Sequence, residues 1–185
     1  MRYNDHSMLK GSHAILGASQ HSWLRYDADK LRQTYFNLKK KEEGTRLHEF
    51  ASQAIVSRIK LADHKKALNQ FVNDAIGFGM DSEIVLWYSN NIYGTADAIK
   101  FSDGLLRIHD LKTGVTKVSF EQLDIYAALF CLEYEVDPLK IEIVQRLYQG
   151  NSFTEQFADL QSVKGIMDII VEFDRVLEEA KTEIV

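Results

Sequence analysis

Over the first 80 residues the apolar positions recur at helical spacing. Leu31, Tyr35 and Leu38 stand four and three apart, and Leu47, Phe50, Ala51, Ala54, Ile55, Arg58 and Ile59 mark a stripe of period 3.6. Ser19 is placed to cap a short helix running through Trp23 and Leu24. Residues 39–44 (KKKEEG) read as a charged turn between two helices. A third helix is expected at about residues 64–78, with Leu68, Phe71, Val72, Ala75 and Ile76 on one face and Gly77 and Gly79 ending it.

The period then changes. Residues 83–88 (EIVLWY), 92–101 (IYGTADAIKF) and 105–111 (LLRIHDL) are rich in β-branched and aromatic residues, and residues 89–91 and Asp103-Gly104 separate them with hairpin turn chemistry. This predicts an antiparallel three-stranded meander. Residues 120–134 return to a helix that Pro138 stops. Residues 141–148 form a further strand, 153–157 a short partner strand, and 160–183 a closing helix. A meander, a crossover helix and another strand make a mixed sheet flanked by helices, so the class is α/β with an N-terminal helical extension. No Pro/Gly/Ser linker or repeat divides the chain, which reads as one domain over residues 1–185.

Composition narrows the class of function. With 45% hydrophobic residues and one Cys, the chain can bury a core but cannot build a disulfide or a thiolate-held zinc site from its own residues. No apolar run approaches the roughly 20 residues of a membrane span, and residues 1–13 hold no apolar h-region. The expectation is an unprocessed, cytoplasmic chain without a membrane partner. A net charge of −5 argues at first against nucleic acid. The charge is segregated, however: residues 1–68 hold 13 Lys+Arg against 7 Asp+Glu, and the remainder holds 9 against 20.

Two segments of the meander carry candidate chemistry, Gly94-Thr95-Ala96-Asp97 and Asp110-Leu111-Lys112. Residues two apart on a strand share a face, so Asp110 and Lys112 project together, and pairing around Asp103-Gly104 sets Asp97 opposite position 110. Opposed carboxylates repel, and a hard divalent cation between them removes the repulsion. Such a cation would polarise a phosphodiester and acidify a bound water, with the Lys112 ammonium at its edge. The same residues also read as surface groups near a strand end, D-x-K being a common triplet.

These segments, followed by a helix carrying Gln122 and Tyr126 (QLDIY), resemble the D…(D/E)-x-K…Q-x-x-x-Y signature of the PD-(D/E)xK nuclease superfamily, in its RecB-like and Cas4-like branch. Residues 43–51 (EGTRLHEFA) are similar to that branch's G-x-x-x-H motif, and residues 13–19 (HAILGAS), with Trp23-Leu24 beyond, are similar to the opening of phage Cas4-like nucleases. The resemblance runs in family order from about residue 13 to residue 126. It implies a restriction-endonuclease-like αβββαβ core with a helical DNA-contacting part at 1–80, a catalytic sheet and crossover helix at 81–150, and a C-terminal strand and helix at 151–185.

The resemblance further implies that His48, Asp97, Asp110 and the Leu111 carbonyl ligate Mg²⁺ or Mn²⁺, and that Lys112 positions or deprotonates the attacking water. Glu83 is the loosest match, a carboxylate that would support the ligands or serve a second metal. Gln122 and Tyr126, four apart on one helical face, would reach one strand of DNA. The basic residues Arg25, Lys40 and Arg46 would contact phosphates, and Trp23 would stack on a base. The implied activity is that of a metal-dependent DNA exonuclease, phage-encoded and acting in a bacterial host, with a recombinase or single-strand annealing protein as a fitting partner. A catalytically inactive module of the same fold is the alternative. Iron-sulfur members of the branch carry four Cys; here only Cys131 exists, so no iron-sulfur cluster is expected. Walker, Rossmann, zincin and nucleophile-elbow patterns are absent.

Overall fold

The computed structural model describes residues 5, 8, 14–114 and 119–183. They divide into two compact units, residues 1–43 and residues 44–185. In the first, a 3-10 helix (Ala18–Arg25) starts after Gly17, not through a Ser19 cap, since Ser19 lies inside it. The helix α1 (Ala28–Val56) starts where the Asp27 carboxylate accepts from the Lys30 N–H at 2.7 Å.

The turn expected at residues 39–44 does not exist, because α1 runs through it. Lys and Glu are strong helix formers, and one interior Gly costs only about 1 kcal/mol. A Lys39–Glu42 ion pair at 2.7 Å adds to the helix.

The second unit contains α2 (Ala67–Gly77), β1 (Asp81–Trp87), β2 (Tyr93–Ser102), β3 (Leu105–Lys112), α3 (Glu121–Glu133), β4 (Glu142–Gln149), β5 (Ser152–Phe157) and α4 (Leu160–Thr182). The five strands form one mixed sheet in sequence order, antiparallel except where the α3 crossover makes β3 and β4 parallel. This is the α/β class and the αβββαβ order expected. Asp103 and Gly104 both take positive φ, 52° and 76°, as a two-residue hairpin turn requires, and they set Ala98 opposite His109. The helix α3 ends before Pro138 acts on it: left-handed Glu135 closes it, and Pro138 opens a 3-10 turn.

Each sheet face has its own core. Leu86, Ala96, Leu106, Ile108, Ile143 and Leu147 pack against α3 and α4, while Ala98, Leu111 and Tyr148 pack against α2 and the end of α1. Cys131 is buried in the first core, and burial pushes its thiol up to about 11, so it serves as a small apolar filler.

The second core contains a polar chain. Tyr148 OH donates to Asp74 Oδ2 at 2.8 Å, so its oxygen accepts from His109 Nδ1 at 3.2 Å. Arg146 Nη1 donates to the same Asp74 oxygen at 2.9 Å. His109 is fully buried, and its Nε2 has no partner among the described residues.

Candidate metal centre

The ladder between β2 and β3 stops at Ala98↔His109, although both strands continue. On its other side β3 pairs with β4 as far as Lys112↔Gln149. The last residues of β3 therefore have a free edge toward β2, and their backbone groups need partners. Asp97 supplies one: the Leu111 N–H donates to Asp97 Oδ2 at 2.8 Å.

The neighbouring ladder is broken at the same level. Ser82 faces Ala98 and Ile84 faces Ala96, but Glu83 and Asp97 make no pair between them. Glu83 has φ 56°, a left-handed backbone that costs an L-residue on the order of 1 kcal/mol and clusters at functional sites. The Ser82 hydroxyl takes over the Asp97 carbonyl at 2.9 Å. Alternation slips as well, since Ala96 packs in the α3 core and Ala98 in the α2 core.

His48 projects from α1 to meet this break, with Nδ1 3.3 Å from Asp97 Oδ1. Its approach depends on Gly44, one turn earlier, where an added Cβ would lie 2.8 Å from Thr113 Oγ1. The spacing G-x-x-x-H thus has a local reason: the glycine lets α1 close on the end of β3, and the histidine follows on the same face.

His48, Glu83 and Asp97 each offer a ligand atom, all within 4.8 Å of one another. Ligand bonds of about 2.0–2.6 Å to a divalent cation span such a triad. Asp110 does not belong to it. Its carboxylate lies on the α3 side, where Lys112 Nζ donates to Oδ1 at 3.2 Å. The other oxygen, Oδ2, is buried and 2.9 Å from the same ammonium but accepts no hydrogen bond among the described residues.

The electrostatics agree. Burial first, and the Asp97 charge second, raise the carboxyls of Asp110 and Glu83 above their ordinary range. The hydrogen bond to Asp97 holds His48 above the usual imidazole value. The site thus crowds three acids together, with Lys112 beside Asp110 and His48 beside Asp97 as the cationic side chains next to them.

Lys112 is held from both sides, donating also to Gln122 Oε1 at 2.5 Å, and Gln122 Nε2 donates to Tyr126 OH at 2.7 Å. The Tyr126 ring is almost buried and rests on Gly94, where a Cβ would lie 2.8 Å from Cε1. So Gln122 and Tyr126 do share a face, but Tyr126 supports Gln122 from beneath rather than standing free. Leu111 enters the site through its N–H.

Arg46 is exposed on α1. In the first unit, Arg25 and Lys40 are exposed, and half-buried Trp23 donates from Nε1 to Gly17 O at 2.9 Å. His13, which opens the N-terminal motif, lies outside the described residues.

Residues 80–164 match a family described as protein of unknown function, DUF2800. The matched stretch holds the entire sheet with Glu83, Asp97, Asp110, Lys112, Gln122 and Tyr126, and it leaves out His48. No curated protein and no solved structure matches the chain. No helix among the described residues is long and apolar enough to cross a membrane.

Proposed function

We propose that the chain is a metal-dependent DNA nuclease of the exonuclease type. The observation that carries this reading is the joining of two half-sites by one side chain: Asp97 belongs to the His48–Glu83–Asp97 triad and also holds the Leu111 N–H, between Asp110 and Lys112. The likeness of these residues to the PD-(D/E)xK signature supports the same reading.

Mg²⁺ or Mn²⁺ held by His48, Glu83 and Asp97, with Asp110 Oδ2 at hand, would supply Lewis acidity to a phosphodiester and to a bound water. The chain's own residues do the rest. Asp110 and Gln122 fix the Lys112 ammonium from opposite sides, leaving it to orient the attacking water and to offset charge on the phosphate. Tyr126 keeps Gln122 in place, so Lys112 is preorganised.

The test is digestion of 5′- and 3′-labelled linear and circular DNA, single- and double-stranded, with Mg²⁺ or Mn²⁺. Linear DNA should be degraded and circles spared, and EDTA should stop the reaction. Lys112→Ala should slow it on the order of 10²–10⁴-fold. No digestion by the native protein, or full digestion by Lys112→Ala, would overturn the assignment. Mn²⁺ binding without digestion would favour a binding module.

A further inference from the structure

The sheet face that carries Glu83 and Asp97 continues past them, and Val85, Trp87 and Tyr93 on it are exposed. Leu86 packs in the α3 core and Gly94 lies against Tyr126 of α3. By strand alternation, Val85 and Trp87 of β1 and Tyr93 and Thr95 of β2 therefore face the other way, on the Glu83/Asp97 side. The register sets them in two cross-strand pairs, Val85↔Thr95 next to the triad and Trp87↔Tyr93 beyond. Trp87 is 48% and Tyr93 63% exposed.

We propose that Trp87 and Tyr93 form a stacking platform for unpaired bases of the nucleic acid whose backbone is held at the triad. The inference rests on the nuclease reading and sharpens it to a substrate with a single-stranded segment.

Three observations commit the face to this occupant. It is continuous with the candidate metal centre: Trp87 is four residues from Glu83, about 13 Å at strand rise, a span of up to about four stacked nucleotides. Its two outermost side chains are large π-faces, which stack on any exposed base and have nothing to stack on in an intact duplex. And it is rigid. The Trp87 N–H donates to Glu133 Oε2 at 2.8 Å, tying β1 to α3. The connecting turn is tied to α4, where Ser89 Oγ and Asn91 Nδ2 reach Asp174 Oδ1 at 2.5 and 2.8 Å. A platform fixed before binding loses little conformational freedom when a base lands on it.

The chain has two tryptophans, so Trp23→Phe leaves Trp87 as the single indole emitter. The experiment titrates this protein with a dT oligonucleotide of about 12 nucleotides and with a blunt duplex, in Ca²⁺, and follows fluorescence. The oligonucleotide should quench Trp87 and the duplex should not. Against native protein, Trp87→Ala and Tyr93→Ala should each weaken oligonucleotide binding about 5- to 150-fold in an anisotropy titration. Trp87→Phe should keep most of the affinity, which separates lost stacking from a damaged fold. Absence of quenching, or equal losses for oligonucleotide and duplex, would overturn the platform. Digestion of DNA with a silent Trp87 would refute the platform and leave the nuclease standing. Quenching by the oligonucleotide in a protein that never cleaves would do the reverse.

Discussion

Acid should destabilise this protein through a buried histidine that is not one of the candidate metal ligands. His109 is fully buried, and burial first, then the charges of Arg146 and Arg107, lower its pKa to about 3. In the unfolded chain the imidazole takes its proton near pH 6.5. Between those values the unfolded state binds one proton more than the folded state, so stability falls as pH falls, by about 1.4 kcal/mol per unit. From pH 6.5 to pH 5 the loss is about 2 kcal/mol, a sizeable part of a typical 5–15 kcal/mol.

Asp110 and Glu83 act in the opposite sense. Their folded pKa values are raised, so the folded state gains protons from them on the same descent. His109→Phe isolates the histidine, because every other titrating group is common to both proteins. It also leaves the Tyr148 oxygen a donor in Arg146 Nη1 at 3.4 Å. The assay is urea unfolding at pH 7, 6.5, 6, 5.5 and 5. The stability of native protein minus that of His109→Phe should be flat from pH 7 to pH 6.5, then fall by about 1.4 kcal/mol per unit. A difference that stays constant to pH 5 would refute the reasoning.

The site offers two further predictions. Mn²⁺ at about a hundred times its Kd should stabilise the protein by about 2.7 kcal/mol, or raise Tm by roughly 5–11 °C; Glu83→Gln should lose most of this in a thermal shift measurement, since Glu83 and not Asp110 completes the triad. The two packing glycines should respond differently to Ala. At Gly94 the added methyl meets a nearly buried tyrosine ring, and denaturant titration should show a loss of about 1–3 kcal/mol. At Gly44 it meets Thr113 Oγ1 where α1 closes on β3, and the gain in helix propensity of about 1 kcal/mol offsets part of that clash, so the loss should be smaller than at Gly94.

What the sequence revealed and what it hid follow from how local each signal is. The meander was legible because a two-residue turn such as Asp103-Gly104 sets register by itself. The helix α1 was misread at residues 39–44 because a charged run ending in Gly resembles a turn by composition, while its residues favour helix. Glu83 could be named as a carboxylate, but its left-handed backbone and its place in the triad depend on two ladders that break together. The buried chain from His109 to Asp74 was invisible for the same reason: residues 74, 109 and 148 meet only across α2 and two strands. Alternation in residues 83–88 gives the two faces of β1, but whether a face is covered depends on helices placed elsewhere in the chain.

That dependence bears on how mutations of the centre are to be interpreted. Asp97 fills an opening in the sheet, since without its carboxylate the Leu111 N–H loses its partner beside a buried strand end. Loss of activity in Asp97→Ala therefore combines a lost ligand with a lost backbone clamp. Glu83 carries no such duty in the hydrogen bonds of the described residues, since its side chain stands on the exposed side of β1, whereas Lys112 is the counter-charge of buried Asp110 and holds Gln122. Substitution of Glu83 separates chemistry from architecture. Asp97→Asn, which keeps an oxygen for the Leu111 N–H and removes the charge, isolates the metal contribution of Asp97 in the same way.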